Sequence, residues 1–266
     1  MPEWSVREVV KTIEGVTKSK GDFIIAVSGN AGIGKSTLVN QIVKEKTGER
    51  FSAAFFEKYN FYSREELDKK LEELPNNSIF ILDESINMMF KREWQNREQI
   101  KIIQKLNTYR NKGFIIFLLL PRFTDIDSAV RNSSRIKWWI NCLSWGEAVI
   151  YQADDNEFNP DPWNLKINMK LLLRGRKRYN LPNYVANLYW QEMEKEAFEL
   201  YEEIKGKKRK EAYKLDKEKS MTKRDVIKEI LKINPDTPIN SLAESLGTPK
   251  RYVYEILAEL GGNSEE

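Results

Sequence analysis

The sequence has 266 residues, of which 41% are hydrophobic and 32% are charged, and its formal net charge is +4. This length suits one medium domain plus a small one. Because the net charge is small, the overall charge of the molecule does not indicate nucleic-acid binding. The chain has one cysteine and no histidine, which excludes an internal disulfide, Ser-His-Asp or Cys-His catalysis and every histidine-containing metal site. The cysteine, Cys142, lies in an apolar stretch and is predicted to be a small core residue.

The sequence carries no signal for export or for membrane insertion. Its N-terminus, MPEWSVREVV, has acidic residues and lacks the apolar region of a secretory signal. The longest apolar run, Phe114 to Pro121, is too short to span a bilayer. We therefore expect a cytoplasmic protein without membrane insertion.

Helices and strands are predicted in alternation from the N-terminus. Apolar spacing predicts helices over 4–16, 37–45, 63–74, 94–111 and 125–130, and strands over 23–27, 51–56, 79–82, 114–120, 136–140 and 147–152. Ser63 followed by Glu66 is typical of a capping box at the start of the third helix. Because the strands are too apolar to be half exposed, the pattern predicts a parallel sheet with helices on both faces.

The segment after the first predicted strand is a phosphate-binding motif. Residues 29–36 read GNAGIGKS and fit G-x-x-x-x-G-K-[ST] at every fixed position, between a predicted strand and a predicted helix. The glycines let backbone N–H groups point at phosphates, Lys35 reaches the β- and γ-phosphates, and Ser36 places its hydroxyl on Mg²⁺. The predicted ATP-binding residues are Gly29, Asn30, Ala31, Gly32, Ile33, Gly34, Lys35, Ser36, Thr37 and Asp83.

An acidic pair completes the predicted site. The apolar run 79–82 delivers Asp83, which with Ser36 is expected to hold Mg²⁺, and Glu84 follows as the residue that activates water. A catalytic glutamate is typical of the P-loop ATPases with an additional central strand, whose central strands here would be 23–27, 79–82 and 114–120. Lys35 and Glu84 are therefore predicted to be catalytic.

Such a site also needs a polar residue that senses the γ-phosphate and an arginine from a neighbouring subunit, and the sequence offers several candidates for each. The strand over 114–120 is followed by Pro121-Arg122-Phe123-Thr124, so Arg122 or Thr124 replaces the usual polar γ-phosphate sensor, or the segment is a surface turn. Arg110, Arg131 and Arg135 are candidates to complete a neighbouring subunit's site, and each is alternatively an ordinary surface arginine. We predict that Arg131 is a catalytic residue, which implies a homo-oligomer.

Basic and small helical segments follow the ATPase region. Lys170, Arg174, Arg176, Lys177 and Arg178 form one basic cluster, and 205–210 form another, on a stretch of helical propensity. Such clusters support nucleic-acid binding, because lysine and arginine release counterions from the phosphates. Taken alone, however, each cluster is usually just a solvent-exposed surface of a helix or loop.

The last forty or so residues have the spacing of a helix-turn-helix. Ala243 is small where two helices approach, Gly247 suits the left-handed turn, and Val253 and Ile256 face inward. The alternative interpretation is a small helical module that recruits protein. The predicted duplex-DNA contacts are Thr248, Lys250, Arg251, Tyr252 and Tyr254.

The sequence therefore predicts an α/β parallel-sheet P-loop NTPase domain of the RecA/AAA-like kind, followed by a small all-α helix-turn-helix domain. The boundaries are 1–168 for the ATPase domain, 169–219 for a charged helical connector and 220–262 for the helix-turn-helix domain.

Four segments resemble the FtsK–HerA branch of P-loop ATPases, including its Zot-like and conjugative relatives. They are GNAGIGKST, ILDE, the helix end YRNKG at 109–113, and IDSAVRN at 126–132 leading to Arg135, within roughly residues 21 to 150. The resemblance implies a motor acting on DNA, of a plasmid, virus or integrated element. The alternative is an ATP-controlled switch on DNA that regulates, partitions or helps replication or transposition without translocation.

Overall fold

The computed structural model describes residues 2–17, 22–83, 108–126, 131, 136–153, 162–164, 183–220, 223–233 and 238–261. The chain divides into two compact units, Met1–Lys208 and Arg209–Glu266.

The first unit alternates strands with helices. Its described strands are β1 (Glu3–Ser5), β2 (Phe23–Ser28), β3 (Asn60–Phe61), β4 (Ile79–Leu82), β5 (Ile115–Leu120), β6 (Ile136–Ser144), β7 (Glu147–Gln152) and β8 (Tyr184–Tyr189). Its described helices are α1 (Val6–Thr17), α2 (Lys35–Thr47), α3 (Ala53–Tyr59), α4 (Arg64–Leu71) and the first part of α5 (Lys195–Ser220), with short 3₁₀ turns at Arg110–Lys112 and Phe123–Asp125.

One sheet joins these strands in the order β1-β8-β7-β6-β2-β5-β4-β3. Neighbouring strands are parallel, except that β7 is antiparallel to both β6 and β8. The mixed α/β architecture with a mostly parallel sheet agrees with the sequence, whereas the β6–β7 hairpin does not fit the expected all-parallel arrangement. Strand β5 lies between β2 and β4, so the three strands expected at the centre of the sheet are neighbours.

The central strands are apolar throughout because both faces of the sheet are covered. Phe23, Ile25 and Val27 of β2 pack in one core cluster with residues of α1, α2, α3 and α5. Ile24 and Ala26 point to the other face and pack with residues of α4 and with Trp163. Alternate residues of one strand therefore contribute to two different hydrophobic layers.

The strand predicted over 51–56 is wrong, because this segment forms α3. The Ser52 side chain accepts a hydrogen bond from the Phe55 N–H and so caps the helix. The buried aromatic side chains of α3 are Phe55, Phe56 and Tyr59. A short apolar run suits a buried strand and a buried helical turn equally, and here the cap decides between them.

The N-cap predicted at Ser63 is confirmed, since its hydroxyl accepts from the Glu66 N–H at 3.1 Å. The Glu66 carboxylate accepts from the N–H of Tyr62 at 3.3 Å, so the described reciprocal bond lies one residue earlier than in a standard capping box. Most of the helix predicted over 94–111 and most of that over 125–130 lie outside the described residues.

The structure departs from the sequence-based division at 169–219. Strand β8 lies within this supposed helical connector and pairs with both β1 and β7. The first unit accordingly extends to Lys208, beyond the expected end at residue 168. The reason is that β8 needs β1, at the far N-terminus, as its partner, and local spacing carries no signal for such a pairing.

The second unit has three described helices after the end of α5. They are α6 (Lys223–Ile233), α7 (Ile239–Ser245) and α8 (Lys250–Gly261). They share a core that includes Ile227, Leu242, Ala243, Val253 and Ile256. Nowhere in the described part of the chain is a helix both long and apolar enough to cross a membrane.

Candidate functional site

The loop from β2 to α2 is held by glycines in conformations that other residues rarely adopt. Gly29, Gly32 and Gly34 have φ values of 151°, 76° and 92°. The helix α2 begins at Lys35, directly after the last of them. The first N–H groups of a helix have no partner within it and carry partial positive charge, so the loop and helix start form a cradle for an anion.

The indole of Trp145, in the β6–β7 turn, covers one side of this loop. A Cβ atom added to Gly34 would lie 2.8 Å from Cζ3 of Trp145, closer than real contacts allow. Trp145 is nevertheless 43% exposed. Gly34 is therefore required both by its backbone conformation and by its neighbour.

The ammonium group of Lys35 lies on the loop itself. Its Nζ donates to the carbonyl oxygens of Gly29 at 2.5 Å and Asn30 at 2.8 Å. These are neutral acceptors at the rim of the cradle, which an anionic ligand would outcompete for the ammonium.

Asp83 follows β4, and its carboxylate is buried. The residue is 4% exposed. Its Oδ2 accepts a hydrogen bond from the Tyr201 hydroxyl at 2.6 Å and lies 3.1 Å from Nζ of Lys205, both on α5. Two side chains of α5 therefore contact the same carboxylate oxygen of Asp83.

The environment keeps that tyrosine protonated. Burial, first, and then the neighbouring Asp83 carboxylate raise the pKa of Tyr201 well above its usual range. Its hydroxyl therefore donates to Asp83 at neutral pH.

The buried side-chain amides of Asn40 and Asn60 connect the start of α2 to β3 through hydrogen bonds. The Asn40 side chain donates to the Ser36 carbonyl at 2.9 Å, and the Asn60 side chain donates to Oδ1 of Asn40 at 3.1 Å. Lys208 of α5 donates to the Asn60 carbonyl at 3.2 Å and to Glu66 at 2.6 Å. Buried polar groups of this kind fix the position of the start of α2 relative to β3 and α5.

A cavity of about 640 Å³ opens beside the loop. Its lining includes Gly29, Asn30, Arg122, Thr124, Arg131 and Asn141. Arg131 therefore lies beside the phosphate loop of its own chain, and so do both sensor candidates. The roles predicted for these residues stay predictions. The volume suits a small-molecule ligand.

Cys142 also lines this cavity but is 4% exposed, which confirms the expected core position. Burial raises the pKa of its thiol to about 12. The thiol is therefore protonated at neutral pH and is no nucleophile.

The remaining predicted active-site residues are placed as follows. Thr37 is buried within α2, whereas Asn30 and Ala31 are exposed on the loop and Ile33 is half-buried. Glu84, Arg135 and the basic cluster at 170–178 lie outside the described residues.

The predicted DNA contacts surround the start of α8. Lys250, Arg251 and Tyr254 are exposed and Tyr252 is half-buried. The hydroxyl oxygen of Thr248 is enclosed and makes no hydrogen bond within the described part of the chain, so it is not presented to a ligand. Arg251 also pairs with Glu255 one turn along, at 3.2 Å.

The residues fit a nucleotide carrying a divalent cation. The glycine cradle and Lys35 suit the phosphates, and the Ser36 hydroxyl and Asp83 carboxylate are the oxygen ligands that Mg²⁺ accepts. The Asp83 carboxylate already faces one positive charge, that of Lys205.

Three comparisons with known proteins gave the following results. Residues 25–142 match the family described as "ATPase family associated with various cellular activities (AAA)". None of the curated proteins matches the sequence. One similar solved structure is the N-terminal domain of zonular occludens toxin from Neisseria meningitidis, with 17% identity, coverage of 68% of this chain and 99% of that chain, and a TM-score of 0.38. The match over residues 25–142 indicates an AAA-type P-loop ATPase domain and supports a nucleotide-binding, NTP-hydrolysing enzyme.

The contacts of Tyr201 and Lys205 with Asp83 are not predicted from the sequence. Lys205 and Lys208 belong to a basic run that was expected to support nucleic-acid binding, yet both face carboxylates in the first unit. The signal that could have found them is the apolar spacing of Ala197, Tyr201 and Ile204, which places one face of α5 in the core.

Proposed function

We propose that this protein is a Mg²⁺-dependent ATPase that binds duplex DNA and works as a homo-oligomer to translocate or remodel it. The observation that carries the ATPase part is the glycine cradle with Lys35 at the start of α2, together with the buried Asp83 carboxylate directly after β4. This arrangement gathers the ligands for phosphate and for a cation at one edge of the sheet.

The protein's own residues have separate roles in this reaction. The loop N–H groups and Lys35 hold and orient the phosphates, while Ser36 and Asp83 hold the cation. Mg²⁺, when bound, neutralises charge on the transferred phosphoryl group. Glu84, one residue beyond Asp83, accepts a proton from water and orients it for attack. Arg131 stabilises negative charge on a nucleotide held by the phosphate loop.

The DNA-binding part rests on the second unit. Gly247 has a φ of 55° between α7 and α8, and the Thr248 N–H donates to the Ala243 carbonyl at 2.9 Å, which closes a tight turn between two helices. Exposed Lys250, Arg251 and Tyr254 lie on the second of these helices. Such a helix can enter the major groove while its cations contact phosphates.

A DNA-bound switch is the second function that these features support. In that case ATP controls assembly on DNA and nothing moves along it. The mass in solution with ATP separates the two, since a defined ring supports a motor and a DNA-length-dependent polymer supports a switch.

The test is the ATPase rate with and without duplex DNA at low salt. We expect DNA to raise the rate, since the same chain carries both activities. The Glu84→Gln variant serves as the control and should bind ATP while its hydrolysis falls on the order of a hundredfold or more. Equal rates with and without DNA would overturn the DNA-directed proposal, and normal turnover in Glu84→Gln would overturn the role of Glu84.

A further inference from the structure

The 201–205 turn of α5 supplies two side chains to Asp83, the carboxylate that is expected to hold the cation of the nucleotide. The Tyr201 hydroxyl donates to Oδ2 of Asp83 at 2.6 Å, and Lys205 Nζ lies 3.1 Å from the same oxygen. We propose that Tyr201 and Lys205 are positioning residues that substitute for the metal, and that entry of the metal–nucleotide displaces Lys205 from Asp83. This inference rests on the proposed function of that site.

Burial explains why a substitute is needed. The side chains of Asp83 and Lys205 are only 5% and 12% exposed. A carboxylate removed from water without a partner is strongly destabilising, so Asp83 requires a positive charge and hydrogen-bond donors whenever no metal is present. Lys205 supplies the charge and Tyr201 supplies a donor.

The same contacts conflict with metal binding. A divalent cation held by Ser36 and Asp83 would lie within a few ångströms of the Lys205 ammonium, where like charges repel strongly in a buried site. Lys205 must therefore leave Asp83 for the metal to bind well, and its presence raises the metal concentration that binding requires.

The rest of α5 is anchored independently of this pair. One turn onward, Lys208 binds Glu66 at 2.6 Å and the Asn60 carbonyl at 3.2 Å. The Tyr201 ring packs on Phe56 with centroids 5.4 Å apart. The displacement is thus confined to the Lys205 side chain and the Tyr201 hydroxyl, while the helix stays docked.

The experiment is a Mg²⁺ titration of the binding of a fluorescent, non-hydrolysable ATP analogue to the full chain. Lys205→Met is expected to lower the Mg²⁺ concentration for half-maximal binding on the order of tenfold, within the usual range of coupling between sites. Lys205→Arg keeps the charge and should stay near wild type. Lys207→Met, an exposed lysine on the same helix, is the matched control and should not shift the midpoint.

Lysine labelling of the unmutated protein gives a second readout that does not depend on a variant folding. With an amine-reactive reagent and mass spectrometry, Lys205 should be protected alone and become several-fold more reactive when Mg²⁺ and the analogue are added. Lys208 should stay protected and Lys207 reactive in both states.

The outcomes separate this inference from the proposed function. If the wild-type chain binds the analogue but neither the Lys205→Met midpoint nor Lys205 labelling changes as described, the displacement of Lys205 is wrong and the ATPase site stands. If the wild-type chain binds no analogue at any Mg²⁺ concentration, the proposed function fails and this inference fails with it.

Discussion

The phosphate loop and the Asp83 carboxylate are two halves of one site, but different parts of the chain hold them in place. The loop is shaped by consecutive residues, three of them glycines with positive φ. The carboxylate is held by Tyr201, 118 positions away in the sequence, and by Lys205. The phosphate half is thus formed locally, whereas the carboxylate half depends on a helix that packs against it from the end of the first unit.

This difference gives the two halves different sensitivities. Changes in the loop act on nucleotide binding through backbone geometry and one ammonium group. Changes in α5 act on the stability of the first unit and, on the proposal above, on the metal concentration that nucleotide binding requires.

The largest expected effect is that of Lys35→Ala. Removal of its ammonium should weaken nucleotide binding on the order of a hundredfold, since charge-assisted hydrogen bonds to phosphate are lost. Binding of a fluorescent ATP analogue measures this. Lys11→Ala, an exposed lysine on α1, should leave the affinity unchanged, and an unaltered affinity in Lys35→Ala would contradict the site.

Gly34→Ala should have the next largest effect. A non-glycine residue with positive φ costs roughly 1–2 kcal/mol, and here the new Cβ also collides with Trp145 at 2.8 Å. Gly32→Ala carries the backbone cost alone, because nothing lies within 4 Å of its added Cβ. We expect nucleotide affinity to fall further in Gly34→Ala than in Gly32→Ala.

A second substitution isolates the collision. Trp145→Ala should recover part of the affinity lost in Gly34→Ala and none of that lost in Gly32→Ala. Equal losses in the two glycine variants would show that the indole does not constrain the loop.

Tyr201→Phe tests the other half of the site. The loss of a hydrogen bond to a buried carboxylate should destabilise the first unit by about 1.5–3 kcal/mol, seen as a lower melting temperature without nucleotide. Tyr254→Phe, at a tyrosine that is 58% exposed, should melt as the wild type does. If both variants melted alike, Tyr201 would have no part in holding Asp83.

The smallest effect concerns the second unit. Lys250→Ala and Arg251→Ala should each weaken duplex-DNA binding modestly and reduce the slope of log affinity against log salt by about 1 for each DNA phosphate that the variant no longer neutralises. Nucleotide affinity should not change. Lys195→Ala, at an 89% exposed lysine side chain on α5, is the control for a general loss of charge, and an equal loss of DNA affinity there would contradict the assignment of α8.

The sequence by itself determined the phosphate loop, the strand that delivers Asp83 and the mostly parallel sheet. These features depend on short-range patterns, namely a fixed motif, apolar runs and a capping serine at Ser63. The same local reasoning assigned 51–56 to a strand, because an apolar run of that length does not distinguish a buried strand from the helix α3.

Only the tertiary structure decided which residues complete the site. It placed β8 beside β1 and β7, and it directed Lys205 and Lys208 toward Asp83 and Glu66. The physical reason is that a buried carboxylate takes its counter-charge from whichever element packs over it. That element is chosen by the packing of distant parts of the chain, which no local pattern in the sequence records.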